Sequence, residues 1–382
     1  MSEQASAVPF HRDPLQHLER GFAASGEAFW LPGRQLCVAD PAAARAVLIN
    51  GEGLYEPHSD FFHTRKGFFG PRSLQERIGR SARSLLRAYL AAHADELPET
   101  VGRLGPASEW PDAGNHLIYR HLAPVLVAPD SPASLRRTLD EIVERSVLAG
   151  ARQRRSWLSR QVFRFRALRE LARAVESRRH RSAAEPADLL DAVVGSAAAK
   201  VPAAELAEVF VSFVFAAAGS VGFALGWSVY LLGTNPRPGI EPAWVVREAL
   251  RLWPVAWMLA RSAAQEHQVA GQAVTPGDQV VACPYLIHRH PGYWDDPAAF
   301  RPERWATVDD HQAFLPFGWG PHRCVAAALS LQLVEDVLRL LLDGYRWSIT
   351  PHDTRPCLGS ALAPPRFTLS LAPHGGSANE RR

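Results

Sequence analysis

The run from Val209 to Leu232 carries no charged residue, and it limits the fold more than any other part of the sequence. A helix of this length can cross the hydrocarbon core of a bilayer. The run lies in the middle of the chain, follows Glu205 and Glu208, precedes Arg237, and has no second run of its kind as a partner. A long helix buried in the core of a large, helix-rich protein therefore explains it better than a membrane span.

A second pattern lies in the stretch FLPFGWGPHRCVAAA, from Phe314 to Ala328. Five of its residues follow the spacing F-G-x-G-x-H-x-C, namely Phe317, Gly318, Gly320, His322 and Cys324. The two glycines allow a tight turn and a close approach to a flat ligand. Backbone N–H groups of such a loop, and the start of the helical run after it, create a positive potential at the sulfur. A lone cysteine is most often a small buried hydrophobe, but this setting favours a thiolate.

This stretch resembles the cysteine-ligand loop of cytochromes P450 at every motif position. The resemblance implies a bacterial, soluble type of P450 with a mainly α-helical fold and a small β portion, forming one heme-binding domain over residues 1–382. It implies heme b as the cofactor and Cys324 as the thiolate ligand of the iron, a ligand that favours O–O cleavage. The remaining cofactor-binding residues would be Phe317 and Gly318 in the loop, and His322 and Arg261 at the propionates.

The resemblance extends over about residues 205–370 and is looser before them. Glu248 and Arg251 form an E-x-x-R pair on one face of a predicted helix. This pattern becomes specific together with FRPERW, because P450s complete a buried Glu/Arg/Arg cluster with the arginine that is Arg304 here. The resemblance implies a structural role for this cluster.

A predicted helix between Phe61 and Leu97 presents Arg77, Arg80 and Arg83 on one face. In P450s a helix of this region binds a heme propionate through a His or Trp and an Arg. The expected His or Trp is missing from its usual place here. Whether Arg77 or Arg80 takes the role stays open, and at least one of these arginines belongs to a solvated face.

The charge-free run departs from the family. Ala218 and Gly219 match the start of the P450 pattern A/G-G-x-D/E-T, but Val221 stands at the acid position and Gly222 at the threonine position. Those two side chains ordinarily deliver protons for O–O cleavage. The expected catalytic group is therefore degenerate, and it consists of Gly219, Ser220, Val221 and Gly222. The resemblance implies a substrate pocket lined by Ala218, Val255, Ala256 and Trp257.

The stretch AGSVG around Ser220 also resembles a hydrolase nucleophile elbow. An elbow needs a strand before the serine and a sharp turn, whereas helix-compatible residues flank Ser220 on both sides. The segment from Arg152 to Arg181 reads as a strongly basic helix, and a basic run of this kind is usually solvated. The tail 373–382 is expected to be disordered.

The composition and charge of the chain limit the classes of function that it can have. The chain has 382 residues, is 47% hydrophobic and 21% charged, and carries a formal net charge of +3, which gives no case for a nucleic-acid partner. Its four cysteines are far apart and contain no C-x-x-C pair, so neither a disulfide framework nor a zinc site is indicated. The N-terminus shows no apolar core of a signal peptide, and a cytoplasmic protein without a membrane anchor is expected.

The resemblance implies an enzyme, a monooxygenase-type oxidoreductase that oxidises a mainly hydrophobic small molecule in secondary metabolite biosynthesis. Electrons would come from a ferredoxin-type partner. This expectation rests on family frequency, and two alternatives stay open. The heme could work without the dioxygen cycle, using peroxide or catalysing a dehydration, rearrangement or coupling. The chain could also be a non-catalytic helper, although a helper would not need Cys324.

Overall fold

The structure is a computed structural model and describes residues 10, 12–148, 156–180, 185–308 and 311–374. In chain order the helices are α1 (Pro14–Ser25), α2 (Pro41–Ile49), α3 (Arg72–Ala92), α4 (Leu97–Gly102), α5 (Asp112–Leu126), α6 (Ala133–Ile142), α7 (Trp157–Arg179), α8 (Leu189–Ser196), α9 (Ala203–Val214), α10 (Val221–Thr234), α11 (Pro242–Leu252), α12 (Pro284–Ile287) and α13 (Ala327–Gly344). Two π-helical segments, Val143–Val147 and Phe215–Ser220, continue α6 and join α9 to α10.

The strands are short, as expected for a mainly helical protein. They are β1 (Ala28–Leu31), β2 (Gln35–Val38), β3 (His63–Thr64), β4 (Gly67–Phe68), β5 (Ala107–Trp110), β6 (Leu259–Ser262), β7 (His267–Val269), β8 (Gln272–Val274), β9 (Gln279–Ala282), β10 (Tyr345–Pro351), β11 (Cys357–Leu358), β12 (Leu362–Ala363) and β13 (Phe367–Pro373). The predicted combination of many helices with a small β portion is confirmed.

The chain divides into two compact units. Unit 1 consists of Met1–Asp60, Arg251–Arg301 and Ala306–Cys324, and unit 2 of Phe61–Leu250, Pro302–Trp305 and Val325–Arg382. The single domain over residues 1–382 expected from the sequence stays a prediction.

Unit 1 is built on a four-stranded sheet with the order β1-β2-β9-β6, in which β2 and β9 are parallel. Helix α2 follows β2 directly. Asp40 caps it, as the sequence predicts, because its carboxylate accepts a hydrogen bond of 2.6 Å from the backbone N–H of Ala43. This cap fixes where α2 begins.

Unit 2 contains the charge-free run, which lies in one continuous helix from Ala203 to Thr234 and so confirms the predicted helix. It is the one helix of the described chain that is long and apolar enough to cross a membrane, and 67% of its most apolar window is buried inside the structure. Ser220 lies within this helix, so the strand and sharp turn of a nucleophile elbow are not formed there.

Two other sequence expectations concern segments of unit 2. The basic segment contains helix α7, while residues 152–155 and 181 lie outside the described residues. Helix α13 ends at Gly344, as predicted, and β10 follows at once. Strand β13 pairs with β10 and β5 and extends to Pro373, and residues 375–382 of the predicted tail lie outside the described residues.

Candidate functional site

The cysteine loop makes the tight turn that its glycines predict. Gly318 and Gly320 both have a φ of 69°, a left-handed conformation that favours glycine. The turn closes when the backbone N–H of Cys324 donates a hydrogen bond of 3.0 Å to the carbonyl of Phe317. The Cys324 residue is exposed, and α13 begins three positions later at Ala327. The loop therefore presents its thiol just before the N-terminus of a helix, where positive potential favours a thiolate.

Helix α2 holds this loop from one side. A Cβ atom at Gly320 would lie 3.2 Å from the Cα of Ile49, so the loop and the helix approach each other more closely than another residue type allows. The Arg45 guanidinium lies 5.4 Å from the centre of the Trp319 ring, within the range of a cation–π contact. Both contacts depend on the point at which α2 begins and ends.

His288 holds the loop from the other side, and sequence reasoning did not single it out. This residue is fully buried, and its Nε2 accepts a hydrogen bond of 2.8 Å from the backbone N–H of Leu315. Its Nδ1 lies 3.2 Å from the carbonyl of Arg251, to which it donates when Nε2 is the acceptor. A neutral imidazole thus links two backbone segments. Nothing local in the sequence around His288 indicates this contact.

Of the predicted ion-pair residues, Glu248 and Arg251 are fully buried, and the Arg304 side chain is 10% exposed. In unit 2 the Glu248 carboxylate is fully buried, pairs with Nε of Arg304 at 3.2 Å and accepts a hydrogen bond of 2.9 Å from the Trp305 indole. In unit 1 the Arg251 guanidinium donates to backbone carbonyls of His288, Pro297 and Ala299 at 2.7 to 3.0 Å. Each of these charged groups stabilises an irregular segment by satisfying polar groups that burial would otherwise leave without water.

Arg261 lies on β6 and is only 4% exposed. Its Nη1 pairs with the Asp60 carboxylate at 3.1 Å and also donates to the carbonyl of Ala260. Burial acts to raise the pKa of Asp60, but a hydrogen bond with His58 and the charge of Arg261 outweigh it and leave the pKa below its usual value. Sequence reasoning had not found Asp60 as the partner of Arg261.

These groups fit a heme. Cys324 offers an accessible thiol, and His322, two positions before it, is half-buried. Nε and Nη2 of Arg261 make no hydrogen bond within the described residues, so they can receive a second carboxylate such as a propionate. No group of three or more His, Cys, Asp or Glu side chains in the described chain could hold a metal ion by itself. A donor set of one cysteine, one histidine and one arginine suits a ligand that brings its own metal and its own carboxylates.

Arg77 and Arg80 are exposed on α3. The Arg77 Nε donates to the carbonyl of Ser196 at 3.4 Å. Between the two arginines, a Cβ atom at Gly79 would lie 3.3 Å from Val325, the residue directly after Cys324. The assignment of a propionate to one of these two arginines stays a prediction.

The four residues of the expected catalytic group lie in different surroundings. Gly219 and Gly222 are buried, Val221 is half-buried and Ser220 is exposed. A Cβ atom at Gly222 would lie 2.4 Å from Nδ2 and 2.7 Å from Cα of Asn115, so α10 crosses α5 at this glycine. Gly222 is thus a helix-packing position, and Ser220 is the member of the group that the structure leaves accessible.

Asn115 is the second residue that sequence reasoning missed. It is fully buried on α5, and its Nδ2 donates to the carbonyls of Ala218 and Gly219 at 2.6 and 3.1 Å. A π-helical turn leaves carbonyls without their usual i+4 partners. The Asn115 amide therefore stabilises the segment Phe215–Ser220 in its wide form, and its own Oδ1 is buried without a hydrogen-bond partner in the described chain.

The residues expected to line a substrate pocket are mostly enclosed. Ala218 is fully buried, Val255 and Trp257 are 8% and 9% exposed, and Ala256 is half-buried. Their role in binding a substrate stays a prediction.

Comparisons with known proteins agree with this geometry. A family model described as cytochrome P450 matches residues 243–370. Cytochrome P450 4V2 of Mus musculus is 29% identical over 219 residues, which cover 50% of this chain and 40% of that protein. Cyclooctat-9-en-7-ol 5-monooxygenase of Streptomyces melanosporofaciens is 27% identical over 216 residues, which cover 48% and 47%. The matches thus span less than half the length of these relatives.

Solved structures show the fold. A zebrafish cytochrome P450 matches with a TM-score of 0.73 and 20% identity over 95% of this chain and 99% of that chain. CYP175A1 from Thermus thermophilus matches with a TM-score of 0.72 and 21% identity over 95% and 96%. The predicted P450-like fold is confirmed. The cysteine loop and the family model together make the chain similar to cytochromes P450 over residues 243–370.

Proposed function

We propose that the protein is a heme-thiolate oxidoreductase of monooxygenase type. The observation that carries this proposal is the exposed Cys324 at the end of a glycine turn, just before α13. Heme b would be held by Cys324 at the iron and by Arg261 and His322 at the propionates, with Phe317 and Gly318 beside the ring and Arg77 or Arg80 as a further propionate partner. Its substrate would be a small molecule, its electron source a ferredoxin-type protein and its compartment the cytoplasm.

The bound heme would supply the activation of dioxygen, which the thiolate assists. The residues of the chain have separate tasks. The Ser220 hydroxyl is the accessible polar group of the π-helical segment, and it would hold a water molecule or pass a proton at Oγ. Asn115 would keep the segment wide enough for that hydroxyl to face outward. The name of the Streptomyces relative describes a monooxygenase and supports the proposed reaction type, and we propose a role in secondary metabolism with it.

A separate observation supports a second candidate function. No acidic residue occurs from Phe215 to Thr234, so Ser220 has no neighbouring carboxyl group on its helix. This favours heme chemistry that needs no proton relay, such as peroxide use, dehydration, rearrangement or coupling.

The carbon monoxide spectrum of the reduced protein tests the heme proposal. We expect the red-shifted band of thiolate-bound heme, and Cys324→Ala should lose it. Colourless protein that hemin cannot reconstitute would refute the proposal. Product labelling from isotopic dioxygen with a reductant would identify the monooxygenase, whereas turnover with peroxide or without any oxidant would identify the second candidate. Biological activity that persists in Cys324→Ala would identify a non-catalytic helper.

A further inference from the structure

A groove of about 780 Å³ lies within unit 2. Its walls are β3 with the turn after it, the end of α6 with the π-helical segment that continues it, the first three turns of α7, and the second half of α9. Its lining ends at Phe215, the first residue of the π-helical segment that carries Ser220. A molecule in this groove would therefore extend toward the segment that holds the accessible hydroxyl.

The apolar part of the groove lies on α6, α7, α9 and the first residue of the π-helical segment that follows α9. It consists of Ile142, Trp157, Phe163, Ala167, Leu168, Val211 and Phe215. Such a lining favours the hydrocarbon body of a ligand.

The charged part of the groove carries an excess of arginine. Arg65 is balanced by Glu208, since its Nε lies 3.4 Å from the carboxylate and its backbone N–H donates to it at 2.7 Å. Arg145 lies 3.6 Å from the Glu141 carboxylate and 4.9 Å from the centre of the Phe163 ring. Among the residues that the structure describes, Glu208 is the one acidic residue that lines the groove. The remaining two arginines of the lining are therefore not balanced from within it.

Arg160 and Arg164 form no ion pair within the part of the chain that the structure describes, and both are exposed. They stand four residues apart on one face of α7, where two like charges destabilise a helix. Further along α7, Arg173 and Arg179 each pair with a glutamate three positions earlier. Arg160 and Arg164 thus lie one helical turn apart at the groove without a paired carboxylate in the described chain, and a bound anion would offset their mutual repulsion.

We propose that this groove binds an amphipathic small molecule with an acidic headgroup, a carboxylate or a phosphate, which Arg160 and Arg164 select. The inference rests on the proposed function, because it names the substrate class of that same enzyme. It also refines the sequence expectation of a mainly hydrophobic substrate. Guanidinium groups suit this task, since they stay charged and bind carboxylate and phosphate oxygens in pairs.

The test is isothermal titration of the heme-loaded protein with monomeric dodecanoate, dodecyl phosphate, dodecanol and dodecyltrimethylammonium. We expect the two anions to bind about tenfold or more tightly than dodecanol, and added salt to weaken only the anions. The ratio between dodecanoate and dodecyl phosphate identifies the headgroup. Arg160→Gln with Arg164→Gln should abolish the preference for anions, and Arg160→Lys with Arg164→Lys should keep most of it.

Arg166→Gln with Arg169→Gln is the matched control, because these two arginines are exposed on the same helix but do not line the groove. Equal affinity for dodecanoate and dodecanol would overturn the inference. An equal loss of the preference for anions in the control variant and in Arg160→Gln with Arg164→Gln would overturn it as well. Binding to phosphatidylserine vesicles without any preference among the monomeric ligands would overturn it too. If the protein shows the thiolate-heme spectrum but no preference for anions, this inference alone is refuted. If it prefers anions but lacks that spectrum, only the proposed function is refuted.

Discussion

Gly222 shows how much a single residue decides at the crossing of α5 and α10. The missing side chain lets Asn115 come close enough to bond the carbonyls of Ala218 and Gly219. In Gly222→Ala the new Cβ would meet backbone as well as side-chain atoms of Asn115, so the two helices must move apart. We expect a loss of about 1 to 3 kcal/mol in the free energy of unfolding, measured by urea denaturation.

Gly195→Ala is the control for this prediction. Gly195 lies in α8, and a Cβ atom there would meet nothing within 4 Å. This variant should be as stable as the parent or slightly more stable, because alanine favours a helix. Equal stability of the two variants would show that the close approach at Gly222 is not required.

The ion pair between Asp60 and Arg261 predicts a dependence of stability on pH. The pKa of Asp60 is lowered in the folded protein, so its contribution is fully present above the ordinary carboxyl pKa and is lost as the pH falls through the folded pKa. The Asp60 side chain is 42% exposed, which limits the contribution to about 1 kcal/mol or less. Asp60→Asn should therefore lower the free energy of unfolding at pH 7.

Urea unfolding at several pH values measures this effect. The difference between the parent and Asp60→Asn should shrink as the pH falls below about 4, where the carboxyl group also takes up a proton in the unfolded chain. Asp130→Asn, at an exposed position without an ion pair in the described chain, should match the parent at each pH. A difference for Asp60→Asn that grows toward low pH would contradict the assignment.

At the scale of the elements, α11 depends on one buried carboxylate. Glu248 is fully buried and joins α11 to the short helical turn that contains Arg304 and Trp305. Glu248→Ala leaves the Arg304 guanidinium, whose side chain is 10% exposed, without this partner. We expect a loss of about 3 to 5 kcal/mol in the free energy of unfolding, the usual result of breaking a buried ion pair from one side.

Glu241→Ala is the matched control, since Glu241 pairs with Arg339 at 2.7 Å but both side chains are more than 40% exposed. The loss in the free energy of unfolding of Glu241→Ala should stay below about 1 kcal/mol. Both variants are compared by denaturant unfolding. Similar losses in the free energy of unfolding for the two variants would mean that burial does not determine how much the pair of Glu248 and Arg304 stabilises the protein.

At the scale of the whole molecule, the sequence predicted features that depend on neighbours along the chain. The Asp40 cap of α2, the end of α13 at Gly344 and the helix through the charge-free run are all observed. Capping, helix-ending glycines and apolar runs act within a few turns of a helix, so a sequence pattern can predict them.

Only the tertiary structure determines the contacts between residues that are distant in the sequence. Asn115 meets Gly222, His288 meets Leu315 and Asp60 meets Arg261 across long stretches of chain, and no local pattern marks any of these pairs. The π-helical segment also limits prediction from the sequence, because its wider turn shifts the 3.6-residue period from which helix faces are assigned.

The sequence by itself determined the cysteine loop and the long helix, since glycines at fixed spacing and an unbroken apolar run each act locally. Counting along the family motif placed the missing alcohol at Gly222, whereas the structure buries that position against α5 and exposes Ser220. Which side chain of the helix is accessible depends on the helix that packs against it, and that packing exists only once the chain has folded.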